Sequence, residues 1–125
     1  MAAQNVLRGF PYVVIPFDIS PSTEGDTEMM AGVEEKHLVV AGLMLITHGD
    51  VEAAFFSGDS GTQVNSISGV LTGTQIHGVV ERDLEYGLFW TKKGEKLVLN
   101  LDSNVRCSGR VLVITAKDMP PMVEI

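Results

Sequence analysis

Hydrophobic residues along this chain fall into short runs separated by Gly, Asp, Asn and Pro. The run KHLVVAGLMLIT, from Lys36 to Thr47, is almost continuously apolar, which predicts a strand that is covered on both faces. The segment KLVLNL alternates instead, with Leu97, Leu99 and Leu101 on one side, which is typical of a half-buried strand. No stretch has the period of a long amphipathic helix.

These runs sum to about eight strands, so the sequence predicts an all-β fold, an antiparallel β-sandwich or jelly roll. We expect a single domain with three parts. Residues 1–35 form an extended N-terminal arm and an acidic loop, residues 36–116 form the sandwich core, and residues 117–125 form a C-terminal tail. Six acidic residues and no basic residue between Asp18 and Glu35 indicate a solvated loop.

Composition narrows the possible partners. The chain has 125 residues, 45% of them hydrophobic, and a net charge of -7 from nine basic and sixteen acidic side chains. Nucleic-acid binding depends on neutralising phosphates, so this charge argues against it. The longest apolar run, Leu38 to Ile46, is too short to span a membrane, and the N-terminus lacks the apolar core of a signal peptide. Cys107 is the single cysteine, which excludes a disulfide within the chain.

The string GDSG, from Gly58 to Gly61, is the sequence that surrounds the nucleophilic serine of trypsin-like proteases. His48 and Asp50 precede Ser60 in the order of the chymotrypsin-type triad. However, they lie two residues apart in one turn, and the chain is too short for two barrels. Gly, Asp and Ser are also turn residues between strands, so we interpret GDSG as a turn and expect no enzyme activity.

A cupin-like metal site is the second chemical candidate. His77, Glu81 and Gly87 have nearly the spacing of the first cupin motif, but Gln75 stands where that motif has its first His. No His follows His77, and two ligands make a poor transition-metal site. Carbohydrate binding lacks aromatic platforms, and no loop matches a calcium pattern. We therefore expect neither a cofactor nor a metal.

The C-terminal half resembles a known group of proteins. The string YGLFWTKKGEKLVLNLDSNVRCSGRVLVITA is similar to the last strands of small tailed-phage structural proteins, with an aromatic strand, a Gly-Glu turn, a Leu-rich strand and a final Val-rich strand. The segment KHLVVAGLMLITHGDVEAAFFSG fits the paired strands that precede them, so the resemblance covers roughly residues 36 to 116. It implies a jelly-roll or related β-sandwich that assembles as a trimer on a virion, with capsid decoration (cement) proteins as the best-known case.

We therefore expect a bacteriophage head decoration protein, made in the bacterial host cytoplasm, that binds the major capsid protein on the capsid surface. A homotrimer at three-fold or quasi-three-fold positions would stabilise the shell. The alternatives are a phage tail or fibre component and a cupin-like small-ligand-binding domain. A mean hydropathy of +0.20 agrees with apolar surface that closes against partners. The residues expected at the trimer or capsid interface are Phe10, Tyr12, Val14, Val40, Met44, Ile46 and Trp90.

Overall fold

The protein is known from a computed structural model that describes residues 4–5, 12–19, 25–58, 66–73, 77–83, 87–117 and 122–123, with the backbone alone described at residues 4, 5, 77, 122 and 123. All regular structure in these ranges is β-strand. The strands are β1 (Gln4–Asn5), β2 (Tyr12–Ile19), β3 (Gly25–Met30), β4 (His37–Thr47), β5 (Val51–Ser57), β6 (Leu71–Gly73), β7 (His77–Arg82), β8 (Phe89–Trp90), β9 (Leu97–Leu101), β10 (Cys107–Ala116) and β11 (Met122–Val123).

The strands form two antiparallel sheets that pack against each other as a β-sandwich, which confirms the predicted fold class. The five-stranded sheet has the order β2-β10-β4-β7, and the short β8 also pairs with β4. The four-stranded sheet has the order β3-β9-β5-β6. β1 and β11 form a separate antiparallel pair.

The core lies between the two sheets and is built from side chains that alternate inward along each strand. Phe55 and Phe89 meet there with ring centroids 5.2 Å apart. Burying each large apolar side chain contributes roughly 1.5–3 kcal/mol, so this layer dominates the stability of the fold. Its fully buried members include Leu38, Val40, Ala53, Phe55, Leu97, Leu99, Cys107 and Val111.

β4 is covered on both faces near its start, as its continuous apolar run predicts. Val39 and Ala41 are fully buried on the side away from the core, in a second cluster with Ile114 and Ala116. The pairing with β10 then skips Ala41, because Leu112 lies opposite Gly42 and Val113 lies opposite Val40. This bulge reverses the alternation of β4, since one extra residue moves every later side chain to the other face.

β9 has buried side chains on both faces, although its alternating sequence predicts one buried and one exposed face. Leu97, Leu99 and Leu101 point into the core as predicted. Val98 points the other way and is only 1% exposed, because it packs in a third cluster with Ala54 and Phe56. The expectation of one wet face is therefore wrong at Val98.

β2 and β3 lie in the segment for which an arm and an acidic loop were expected. β2 pairs with β10 along all of its residues, from Tyr12 opposite Ile114 to Ile19 opposite Cys107. β3 pairs with β9 and contributes Met29 to the core. Both strands are therefore integral parts of the two sheets.

Candidate interaction surface

The outer face of the five-stranded sheet carries rows of apolar side chains. The register places Val14, Leu112, Gly42 and Arg82 side by side across four strands. The next row consists of Pro16, Arg110, Met44 and Val80. We call this surface the apolar face and define it by Tyr12, Val14, Pro16, Met44, Val80 and Leu112 together with Arg82 and Arg110.

A groove runs over the apolar face where Gly42 supplies no side chain. The groove is open to solvent, has a volume of about 610 Å³ and lies between side chains of β2, β4, β7 and β10. A Cβ atom at Gly42 would lie 3.2 Å from the Cβ of Leu112, which is closer than ordinary contact. Gly42 therefore both allows Leu112 to approach β4 and keeps the centre of the face open.

The most exposed large apolar side chains of the described chain lie at the two edges of this sheet. Val80 on β7 is 76% exposed, and Tyr12, Val13 and Val14 on β2 are 63%, 50% and 46% exposed. Trp90, on β8 beside Val39, is 40% exposed. Scattered apolar residues are normal on a surface, but a contiguous patch on one sheet is typical of an interaction site.

Two arginines give the apolar face a local positive charge in an acidic chain. Arg82 and Arg110 line the groove together with Glu81. An ion pair lies outside the groove, where Arg106 donates from Nε and from a terminal nitrogen to the two carboxylate oxygens of Asp18 at 3.0 and 2.9 Å. The hydrogen bond from Arg106 lowers the pKa of Asp18 and raises the pKa of Arg106 itself.

The structure brings most of the expected interface residues onto one surface. Tyr12, Val14, Met44 and Ile46 all point to the outer side of the five-stranded sheet. Trp90 is exposed on β8 of the same sheet. Phe10 lies outside the described residues.

Val40 is the exception, because it is fully buried in the core and is not part of any surface. Val40 lies on the same face of β4 as Leu38. Regular alternation would also place Met44 and Ile46 on that face, but the bulge at Ala41 moves them to the opposite one. Val40 is therefore not carried into the interface proposed below.

Sequence reasoning missed Val80, Leu112 and the two arginines of the apolar face. Arg110 and Leu112 do alternate with the buried Val111 and Val113, which is a signal that could have placed them outward. Val80 gave no such signal, because β7 is short and its neighbours Val79 and Gly78 carry no polar contrast.

Of the three protease-like residues, His48 and Asp50 are the two that lie in the described part of the chain. His48 and Asp50 both lie in the turn between β4 and β5, where the backbone N–H of His48 donates to the carbonyl of Arg106 at 3.0 Å. Gly58 has a φ of 78°, as a turn glycine does. Ser60 lies outside the described residues, so the assignment of GDSG as a turn remains a prediction there.

The interior of the sandwich is apolar where the structure describes it. Among the described residues, no group of three or more His, Cys, Asp or Glu side chains could hold a metal ion. Glu81 is exposed on β7, while Gln75 lies outside the described ranges. Hydrophobic side chains fill the space between the sheets, where a cupin would place its ligands.

Cys107 is the single cysteine and a potential nucleophile. It is fully buried in the core, and burial raises its pKa to about 11. A thiol in this state is inert toward substrates and metals, because the thiolate is the reactive form.

Comparisons with protein families, with curated proteins and with solved structures find no match for this chain. Within the described ranges, no helix has the length and hydrophobicity needed to cross a membrane. The fold therefore defines the class, an antiparallel β-sandwich, and the surface must carry any argument about function.

Proposed function

We propose that this protein is a non-catalytic assembly protein, specifically a bacteriophage head decoration protein that binds the major capsid protein as a homotrimer. The observation that carries the proposal is the apolar face, which leaves Tyr12, Val14 and Val80 exposed on one sheet. The resemblance of residues 36 to 116 to small tailed-phage structural proteins supplies the biological setting.

An apolar sheet face of this kind favours a partner protein over a small molecule. Its groove is open rather than enclosed, and its lining combines large apolar side chains with Arg82 and Arg110. Aromatic residues, Met and Arg are the residue types enriched in protein–protein interfaces, and Tyr12, Met44, Arg82 and Arg110 all line this groove. Three copies joined in one ring would also attach to a shell at several points, so that weak single contacts add up to tight binding.

The interior argues for assembly over the cupin-like alternative. A ligand-binding barrel needs a cavity with convergent polar groups, whereas Leu38, Phe55 and Leu99 are fully buried between these sheets. A phage tail or fibre component would use the same apolar face, so the location on the particle needs its own experiment.

The oligomeric state is tested by light scattering on the purified protein across a dilution series at micromolar concentration. We expect a molar mass of about three chains, because closed rings of identical subunits are a common outcome of head-to-tail contacts. A monomer at every concentration would overturn the homotrimer.

The location is tested on density-purified phage particles from a culture that expresses this protein. Quantitative mass spectrometry should find the protein with the major capsid protein, and gold-labelled antibodies should decorate the head. Labelling confined to the tail would favour the tail component instead. Recovery of the protein only in the particle-free fraction would contradict a virion role altogether.

A further inference from the structure

The edge strands of the two sheets differ in the side chains that they expose. Natural proteins protect free edges with charges, with proline or with very short strands. The edge strand β3 exposes Asp26 and Glu28, and β6 is only 3 residues long. In the five-stranded sheet, β2 has Pro16 but no charge before Asp18, and β7 has two charged residues after the uncharged Gly78 to Val80. The two edges of this sheet also carry the most exposed large apolar side chains of the described residues, Val80 and Tyr12.

Backbone hydrogen bonds show which groups these edges leave free. The N–H of His48 donates to the carbonyl of Arg106 at 3.0 Å, which continues the ladder between β4 and β10. The direction of the backbone N–H and C=O groups alternates from residue to residue along a strand. Arg110 lies four residues after Arg106, so its N–H and C=O also point toward β4. Its other neighbour, Pro16, therefore faces away from β10, which is where the missing N–H of a proline is tolerated.

Val14 and Tyr12 lie two and four residues before Pro16, so their backbone groups point to the same free edge. At the opposite edge, the N–H of Asp83 donates to the carbonyl of Ala41 at 2.9 Å. By the same alternation, Arg82 and Val80 direct their backbone groups away from β4. No strand among the described residues pairs with these backbone groups. Each edge therefore presents carbonyls, and N–H groups except at Pro16, from residues whose side chains lie on the apolar face.

The strand directions allow these two edges to meet in a ring. Every neighbour in the order β2-β10-β4-β7 is antiparallel, so β2 and β7 run in opposite directions. Copies related by a rotation axis along the strands would therefore pair β2 of one with β7 of the next in antiparallel fashion.

We infer that β2 of one copy pairs with β7 of a second copy, and that three such junctions close the five-stranded sheets into one continuous barrel around the trimer axis. This inference rests on the proposed homotrimer and specifies its interface. Closure abolishes free edges, and three copies of the four main strands give a barrel of about twelve strands.

One register satisfies the side chains of both edges. With Val14 opposite Val80 of the next copy, Tyr12 lies beside Arg82 and Pro16 beside Gly78. The first pair joins two exposed apolar side chains, and the second places a guanidinium against an aromatic ring. The third leaves room for the pyrrolidine ring, although this pair forms one backbone hydrogen bond fewer because Pro16 has no N–H. Pairing β2 with another β2 would bury the same apolar residues but would leave Val80, 76% exposed, without a partner.

Engineered disulfides test this junction directly. Opposed residues in an antiparallel pair have Cα atoms about 4.5–5.5 Å apart, within the range that a disulfide spans. We would combine Val80→Cys with Tyr12→Cys, Val14→Cys or Pro16→Cys, which covers the three registers that keep the apolar faces continuous. Mild oxidation should give covalent dimers and trimers in at least one double variant, most completely with Val14→Cys.

The single variants serve as controls, since neither Val14→Cys nor Val80→Cys alone should form covalent species. Native Cys107 is fully buried and should not interfere. Efficient homodimers of Val14→Cys alone would overturn the ring in favour of a β2–β2 contact.

A charge substitution provides a second readout that needs no oxidation. Val14→Lys should convert the trimer to monomers, because it places an unpaired ammonium in the strand junction. The matched control is Val70→Lys, since Val70 is 43% exposed and Val14 46%, but Val70 precedes β6 on the other sheet. The control should remain trimeric.

The outcomes separate this inference from the proposed function. A wild-type trimer whose double-cysteine variants never cross-link, or which survives Val14→Lys, would overturn the ring while leaving the homotrimer in place. A wild-type monomer would overturn both.

Discussion

At the residue scale, Cys107 shows how burial converts a reactive group into a core residue. The thiol lies opposite Thr47 and Ile19 in the five-stranded sheet and is fully buried. Its pKa is raised to about 11 because the core disfavours the thiolate. The folded protein therefore holds the proton more tightly than the unfolded chain does.

This shift predicts a loss of stability in alkali. An unfolded cysteine ionises near pH 8.5, so the stabilising contribution of the neutral thiol is complete below that pH and declines toward pH 11. We expect the free energy of unfolding, measured by urea denaturation, to fall between pH 8.5 and pH 11 by more in the wild type than in Cys107→Ala. Equal pH dependence of the two proteins would contradict it, as would rapid labelling of native Cys107 by a thiol reagent at pH 8.

Gly109 is a position at which both the backbone conformation and the space around it require glycine. Its φ of 151° is one that side-chain-bearing residues rarely adopt. A Cβ atom there would also overlap the backbone carbonyl of Met44 on β4.

We therefore expect Gly109→Ala to lower the free energy of unfolding by more than about 3 kcal/mol, since strain and steric overlap add. Gly69→Ala is the control, because Gly69 has a φ of 77° with nothing within 4 Å of its added Cβ. It should lose only about 1–2 kcal/mol through backbone strain alone. Similar losses in the two variants, measured by denaturant unfolding, would show that the overlap is relieved at little cost.

At the element scale, β4 decides which of its residues serve the core and which serve the surface. The bulge at Ala41 directs Leu43 and Leu45 inward and Met44 and Ile46 outward. Leu45 is 2% exposed, whereas Met44 lies on the apolar face.

Two adjacent substitutions should therefore have different effects. Leu45→Asp buries an unpaired charge and should cost more than about 4 kcal/mol, which is much of the stability of a typical domain. Met44→Lys should change stability by less than about 1 kcal/mol and act on association instead. Circular dichroism and light scattering on both variants check this. A folded Leu45→Asp or an unfolded Met44→Lys would mean that the bulge is placed wrongly.

At the scale of the whole molecule, β2 closes one side of the sandwich. Its inner side chains, Ile15 and Phe17, pack against the core, and its whole length pairs with β10. Residues 12–19 are therefore part of the five-stranded sheet.

We expect deletion of residues 1–17 to lower the melting temperature sharply or to prevent folding, because it removes most of β2 and uncovers β10. Deletion of residues 1–11 leaves β2 intact and should be milder. Thermal unfolding of the two truncated proteins beside the full chain gives the comparison. If the protein that lacks residues 1–17 melts at the same temperature as the full-length chain, β2 contributes little to the stability of the fold.

The sequence by itself determined the fold class. Short apolar runs with turn residues between them cannot bury their surface as helices, so a β-sandwich follows from periodicity alone. It also predicted that the run from Lys36 to Thr47 is covered on both faces, which the structure shows over Leu38 to Ala41. These properties are local, because they depend on residues that are neighbours in the chain.

The tertiary structure alone decided where the apolar face lies and which residues share it. Val14, Leu112, Gly42 and Arg82 are far apart in the chain and become neighbours only through strand pairing. The single extra residue in β4 sends Val40 to the core and Met44 to the surface, and no alternation rule predicts where such a bulge falls. Side-chain facing depends on cross-strand register, and register is a property of the packed sheet rather than of any one segment.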